Sequence, residues 1–321
     1  MPRFASDSRP SPWLNCSEQI TMNTSSILRT LRGRALPTLA TSGLVVALHG
    51  QAPAKPLPQL PQAVLQKIEA AIPPAATVAA KQPRKVLVFW RCEGFVHGDG
   101  IAAANHALAV MGRKIGAYTA DLSDDYSVFE PANLAKYDVL VLNNTTQLKF
   151  PDAGKKQALL DLVRSGKGLV GIHAATDSFY DWPEAAALLG GLFDGHPWGA
   201  GGTWAFKLDE PEHPLNRAFG GKGFKLQDEI YQFKAPYTRA DRRVLVSLDL
   251  SDPATSGVKN GVKRTDGDFA VAWIKTHGQG RVFYCSLGHA ANVFQAPSVL
   301  RFCLDGIQYA AGDLPADATP R

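Results

Sequence analysis

Residues 166–199 read GKGLVGIHAATDSFYDWPEAAALLGGLFDGHPWG, and this stretch decides the fold. Leu169, Val170, Gly171 and Ile172 form a short apolar run after a glycine, as in a strand buried on both faces. The run breaks at His173. Asp177, Tyr180, Asp181, Trp182, Asp194, His196 and Trp198 follow before the stretch ends. Open α/β sheets bind ligands beyond the carboxyl ends of their strands, so a histidine delivered there marks a candidate site.

The same pattern recurs upstream. An apolar run over 86–90 predicts a first strand, followed by a loop through His97 and a helix over 101–111. Strands are expected over 114–119 and 137–142, the latter ending in Asn143-Asn144-Thr145-Thr146. Residues 152–164 form an amphipathic helix with Leu159, Leu160, Leu162 and Val163 inward and Gly166 at its end. Pro183 suits the first turn of a helix over 182–189. Such alternation predicts an α/β fold with a mostly parallel sheet. Beyond residue 200 come strands over 203–208, 244–250, 269–275 and 281–287, then a closing helix over 300–311. These extra strands either extend the sheet or form a layer against it. One domain over 85–314 is expected, with 315–321 as a tail.

The amino-terminal region differs. Arg29, Arg32 and Arg34 precede an apolar segment over 35–48 and the small-residue site Ala52-Pro53-Ala54. Residues 22–54 therefore read as a secretory signal, and 1–21 as the product of a start assigned too early. The expected location is periplasmic or secreted. Residues 55–84 are a Pro/Ala-rich linker or lid, with a two-turn helix over 63–71 between prolines. Removing 1–54 takes away five Lys/Arg against two Asp/Glu, so the remaining chain is only mildly basic. No basic stripe survives, which argues against nucleic acid as a partner. No stretch of the mature chain is apolar enough to span a membrane. Cys92, Cys285 and Cys303 exclude a disulfide-framework fold; buried free thiols are expected, and one pair among them is compatible with an oxidising compartment.

Four polar clusters lie beyond strand ends: the His97 loop, 143–146, 173–177 and 288–292. A parallel sheet brings them to one edge. His173 and Asp177, four apart, share a side of a helical turn, where a carboxylate that orients an imidazole supports acid–base work; the same spacing also caps helices. Asp228-Glu229-Ile230-Tyr231-Gln232-Phe233 alternates as a half-exposed strand, with Glu229 and Tyr231 on one face. Glu229 is a second acid–base group or a metal ligand; a solvated edge strand reads equally well. His97, His173, Glu229 and His289 together are a candidate divalent-metal set, zinc being suited to such ligands, although no HExxH or CxxC spacing is present. Tyr180, Trp182, Trp198 and Tyr231 are either a sugar platform or core. Gly98-Asp99-Gly100 begins a dinucleotide-like motif, but it starts too far beyond its strand to act as one. The turn at Gly171-Ile172-His173-Ala174-Ala175 has the form of a nucleophile elbow holding an imidazole instead of a nucleophile.

These pieces, with Gly94-Phe95-Val96-His97, Phe193-Asp194-Gly195-His196-Pro197, Gly280-Arg281-Val282-Phe283-Tyr284 and Leu287-Gly288-His289, carry a resemblance. The chain resembles the ThuA-like (trehalose-utilisation) family of the class I glutamine amidotransferase-like superfamily. That resemblance implies a flavodoxin-like three-layer α/β/α sandwich. Amidotransferase relatives hold cysteine where this chain holds His173, so glutaminase activity is not expected. The resemblance also implies a small-molecule carbohydrate partner, a disaccharide or keto-sugar.

The functional expectation is an enzyme with His173 as central acid–base group, Asp177 as its orienting partner and Glu229 as the second. His97, Asn144, Thr145, Tyr180, Trp182, His196, Tyr231 and His289 are expected substrate contacts. Glycoside hydrolysis normally needs two flanking carboxylates, so a histidine-centred site better suits proton abstraction beside a carbonyl, as in keto-sugar isomerisation or elimination. The alternatives are a non-catalytic carbohydrate-binding module, or an interaction domain with a large exposed apolar patch. A homo-oligomer is compatible with the sequence.

Overall fold

Val86 and Val88 join one buried cluster while Leu87 and Phe89 join another, so the first strand carries core on both faces. The computed structural model describes residues 56–257 and 259–321; the signal-like segment lies outside them. In chain order the elements are α1 (Gln62–Ala71), β1 (Lys85–Phe89), α2 (Gly98–Ile115), β2 (Thr119–Ser123), α3 (Pro131–Leu134), β3 (Val139–Asn143), α4 (Ala153–Arg164), β4 (Gly168–Ile172) and α5 (Pro183–Leu189). Then follow β5 (Leu192–Phe193), β6 (Thr203–Leu208), β7 (Phe224–Gln227), β8 (Phe233–Lys234), β9 (Arg243–Leu248), β10 (Ala270–His277), β11 (Gly280–Cys285) and α6 (Pro297–Ala310).

One sheet of nine strands runs β2-β1-β3-β4-β11-β10-β9-β6-β7. From β2 to β11 all neighbours are parallel, and the remaining pairs are antiparallel. The later strands thus extend the first sheet instead of layering on it. Helices α1, α2 and α6 pack on the Val86 face, and α3, α4 and α5 on the Leu87 face, giving three layers. After β1 the chain steps outward to β2 and returns to β3 on the other side, which makes the β1–β3 crevice a switch point.

One strand expectation fails. Helix α2 continues to Ile115, where Gly116 closes it with φ 71°, and the strand is Thr119–Ser123. That edge strand, TADLS, is polar and largely exposed, so no apolar run marks it.

Residues 56–84 pack onto the domain. Ile68 and Ala71 of α1 enter the core. Thr77 Oγ1 donates to Asp305 at 2.5 Å, Gln308 Nε2 donates to the Val78 carbonyl at 2.6 Å, and Arg84 pairs with Asp313 at 2.6 Å. Burial pushes the Asp305 carboxyl up to about 6, against the pull of Thr77 and Arg301. Because the folded pKa lies above the unfolded one, the neutral form favours folding at low pH, and that contribution is lost as pH rises from about 4 to about 6. The loss amounts to about 3 kcal/mol. Asp305→Asn is therefore expected to gain stability over the parent as pH is raised from 4 to 8, with little difference at pH 4. Denaturant unfolding at both pH values checks this, and a pH-independent difference would refute it.

No helix among the described residues is long and apolar enough to cross a membrane.

Candidate metal centre

Four loops meet at the carboxyl edge. The β1–α2 loop supplies His97 and the end of β4 supplies His173, while the loop after β11 supplies His289. Two bridges knit neighbouring loops, Cys92 with Thr146 and Thr146 with Asp177. The fourth ligand comes from farther away. Residues 228–232 leave β7 at the far edge of the sheet and return to β8, which pairs with β5. Gln232 anchors that return: its Nε2 donates to the carbonyls of Asp194 and Gly261, and its Oε1 accepts from Lys263 N. This places Glu229 over the strand ends, with His196 beside it.

One ligand atom from each of His97, His173, Glu229 and His289 lies within 4.8 Å of all the others. His173 is fully buried and adopts φ 46°, a left-handed conformation that a non-glycine residue rarely holds without a surrounding structure to enforce it. Its Nδ1 donates to the Ser286 carbonyl at 2.7 Å, which leaves Nε2 as the ligand nitrogen, 3.6 Å from Glu229 Oε2. His289 Nδ1 meets the same oxygen at 3.1 Å, and His196 Nδ1 meets Oε1 at 3.2 Å. His97 Nε2 lies 3.5 Å from the Tyr231 hydroxyl, and the Tyr231 ring packs 4.4 Å from that of His173. Gly100 lets α2 approach the His289 loop, because a Cβ there would sit 2.4 Å from the His289 carbonyl.

The electrostatics suit a cation. Burial, reinforced by neighbouring His173 and His289, holds the His97 imidazole down to about 3, so it is neutral and free to ligate. Burial alone would raise the Glu229 carboxyl, but His173 and His289 outweigh it and hold the group well below the usual carboxylate range. The carboxylate hydrogen bond raises His289 against a smaller opposing effect of burial. His97 Nδ1 and His173 Nε2 are buried without a hydrogen-bond partner among the described residues, a costly state unless something occupies the space between them. Tetrahedral ligands at about 2.0–2.1 Å from zinc lie roughly 3.4 Å apart, so small side-chain rotations would close this set on an ion.

Asp228 holds the assembly from behind. Fully buried, it accepts the backbone N–H of Glu229 at 2.9 Å, of Gly288 at 2.8 Å and of His289 at 3.1 Å. The alternation over 228–233 assigned Asp228 no role. No local motif links Asp228 to residues 288–289; only the fold does.

Residues 85–310 match the model of the ThuA family, described as trehalose utilisation. The chain belongs to the ThuA family. A ThuA-like protein of solved structure from Bacteroides uniformis ATCC 8492 is 24% identical with TM-score 0.58, over 72% of this chain and 93% of that one. Another ThuA-like protein, from Parabacteroides merdae ATCC 43184, is 19% identical with TM-score 0.54, over 75% and 98%. At these identities the two share the fold, the flavodoxin-like α/β architecture expected of ThuA proteins. No curated protein matches the chain.

Other expected site residues lie as follows in this ThuA chain. Asp177 does not hydrogen-bond His173: Ser286 takes that bond, and Asp177 accepts from the Tyr180 hydroxyl at 2.5 Å. The reason is local. Residues 173–176 form a 3-10 turn, so a four-residue spacing no longer aligns the two side chains. Asn144 Nδ2 donates to the Gly288 carbonyl at 3.3 Å, supporting the His289 loop. Thr145 is buried and tied to Ser178, and Trp182 is buried against Phe150 and Phe179, so neither faces the centre. Trp198 is core, and its indole donates to the Thr255 carbonyl. The expected half-exposed strand over 228–233 is buried throughout, and only its last residue enters a strand. The accessible rim consists of Phe95 (66% exposed), His196 (side chain 52%) and Tyr180 (37%). Phe95 was not singled out from sequence; its ring stands edge-on to His97 at 4.7 Å. Burial pushes the Cys92 thiol up to about 11, which leaves no thiolate nucleophile near the centre.

Proposed function

We propose that this ThuA protein is an enzyme acting on a sugar or keto-sugar through a divalent-metal centre held by His97, His173, Glu229 and His289. The observation that carries this reading is the convergence of three histidines and one ionised carboxylate within 4.8 Å, two of the imidazole nitrogens being buried without a hydrogen-bond partner among the described residues. A divalent ion bound there would act as a Lewis acid towards a carbonyl or hydroxyl oxygen. The chain's own groups supply the rest. His196 lies at the solvent side of Glu229, placed to exchange a proton with a bound ligand. Tyr231, whose hydroxyl burial keeps protonated, sits under His173 and offers a hydrogen bond. Phe95 and Tyr180 present aromatic surface for the C–H face of a sugar. With Cys92 protonated and an imidazole at the elbow, proton transfer beside a carbonyl fits better than acyl transfer.

The test is elemental analysis of the purified full chain, followed by turnover of 3-keto-disaccharides before and after chelation. About one equivalent of a divalent metal and chelator-sensitive turnover are expected. Metal-free protein with full activity would refute the reading. We also propose export, on the pattern of residues 22–54; amino-terminal sequencing of the mature protein checks it, and an intact amino terminus on cytoplasmic protein would refute it.

A further inference from the structure

The tetrad Asn143-Asn144-Thr145-Thr146 at the end of β3 supplies none of the four ligands, yet it bonds to every loop that carries a histidine of the centre. Asn144 meets all three. Its backbone N–H donates to the Ile172 carbonyl at 3.1 Å, one residue before His173. Its carbonyl accepts from the Cys92 thiol at 3.1 Å, in the loop leading to His97. Its side-chain Nδ2 donates to the Gly288 carbonyl at 3.3 Å, one residue before His289. Thr146 adds a second tie to the His97 loop. Its hydroxyl accepts from the Gly94 N–H at 3.2 Å and donates to the Phe95 carbonyl at 2.8 Å.

Local stability alone does not account for asparagine at this place. Asn144 holds φ 52°, a conformation that glycine adopts without strain. All four residues of the tetrad are fully buried. Asn144 Oδ1 has no hydrogen-bond partner among the described residues, so the amide is out of water with an acceptor unmet. Strain of this kind persists where the surrounding structure over-determines it, and it clusters at functional sites. The amide also joins two networks. Nδ2 donates to Asn143 Oδ1 at 3.1 Å, and Asn143 in turn donates to Asn105 Oδ1 at 3.0 Å and to the Ile101 carbonyl at 3.2 Å. The loop after β11 is thereby tied to α2, the helix that His97 caps.

We propose that Asn144, assisted by Thr146, is the positioning residue of the metal centre, setting the separations of His97, His173 and His289 without touching the ion. The inference rests on the proposed metal centre and adds what fixes its geometry.

Glycine separates the side chain from the backbone. Asn144→Gly accepts φ 52° and keeps the backbone bonds to Ile172 and Cys92, so only the amide links are lost. Thr146→Val removes the hydroxyl at nearly constant shape, and Thr146→Ser keeps it. Chelator competition on the full chain is measured for each, with thermal unfolding of the metal-free forms. Metal affinity is expected to fall about tenfold or more in Asn144→Gly and in Thr146→Val, and to stay close to the parent in Thr146→Ser. A purely structural residue would change the metal-free unfolding midpoint and leave metal affinity alone. Parental affinity in Asn144→Gly, or in Thr146→Val should the glycine variant not fold, would overturn the proposal. The metal content of the parent is measured first. A parent without metal sinks the centre and this inference with it, whereas a metal-loaded parent matched by its variants sinks this inference alone.

Discussion

Glu229→Gln is expected to strip the divalent metal from the purified protein and to lower turnover more than about 100-fold. A neutral amide is a poor substitute for the one anionic ligand in the set. The substitution is nearly isosteric, and Glu229 packs behind a rim that leaves the core untouched, so the fold should survive it. Two effects combine. The ion loses its charged ligand, and His289 and His196, which contact different carboxylate oxygens at 3.1 and 3.2 Å, can no longer both meet one. His173→Ala should give the same metal loss by removing the buried Nε2. Elemental analysis, circular dichroism and turnover on the same preparations decide the matter. Either variant retaining both metal and parental activity would remove the residue from the centre.

Asp228→Asn should be nearly as damaging, although Asp228 need never touch an ion. Its two oxygens accept three backbone N–H groups, from Glu229, Gly288 and His289. Asparagine turns one acceptor into a donor, so a buried N–H faces another N–H. An unmet buried donor costs about 1–3 kcal/mol. The displaced groups are the backbones that carry two of the four ligands, so metal affinity should fall about 10–100-fold. Competition with a graded series of chelators measures that loss directly. Reduced thermal stability with unchanged metal affinity would show Asp228 to be structural only, and would refute the positioning role.

Much of this arrangement was legible in the chain itself. The apolar runs over 86–89, 139–142 and 169–172 lie in β1, β3 and β4 and are buried on both faces, and their ends identified the sheet edge on which His97 and His173 lie. His289 followed from the same logic, because β11 inserts beside β4 in the parallel part of the sheet. The edge strand β2 escaped because its two apolar residues, Ala120 and Leu122, are separated by Asp121 and form no run. The role given to Asp177 failed because a 3-10 turn replaced the assumed helical one. Alternation over 228–233 suggested exposure, yet the segment is buried: it crosses the face of the site, with Glu229 and Asp228 serving opposite sides of one cluster. Burial of charge in this manner is a property of tertiary assembly, which periodicity does not encode. The aromatic residues show the same limit. Trp198 and Trp182 pack as core, whereas Phe95, assigned no contact role from the sequence, stands at the rim.

The return of residues 228–232 from the far edge of the sheet has one more consequence. Glu229 and His289 are 60 residues apart in the chain, and His97 and Tyr231 are 134 apart. An ion bound by His97, His173, Glu229 and His289 would fasten the first strand's loop, the sheet centre and the outermost hairpin with a single knot. Ligands that bind only the native state deepen its free-energy well in proportion to the logarithm of their concentration. Metal supply would then govern how long the molecule survives proteolysis as well as whether it turns over.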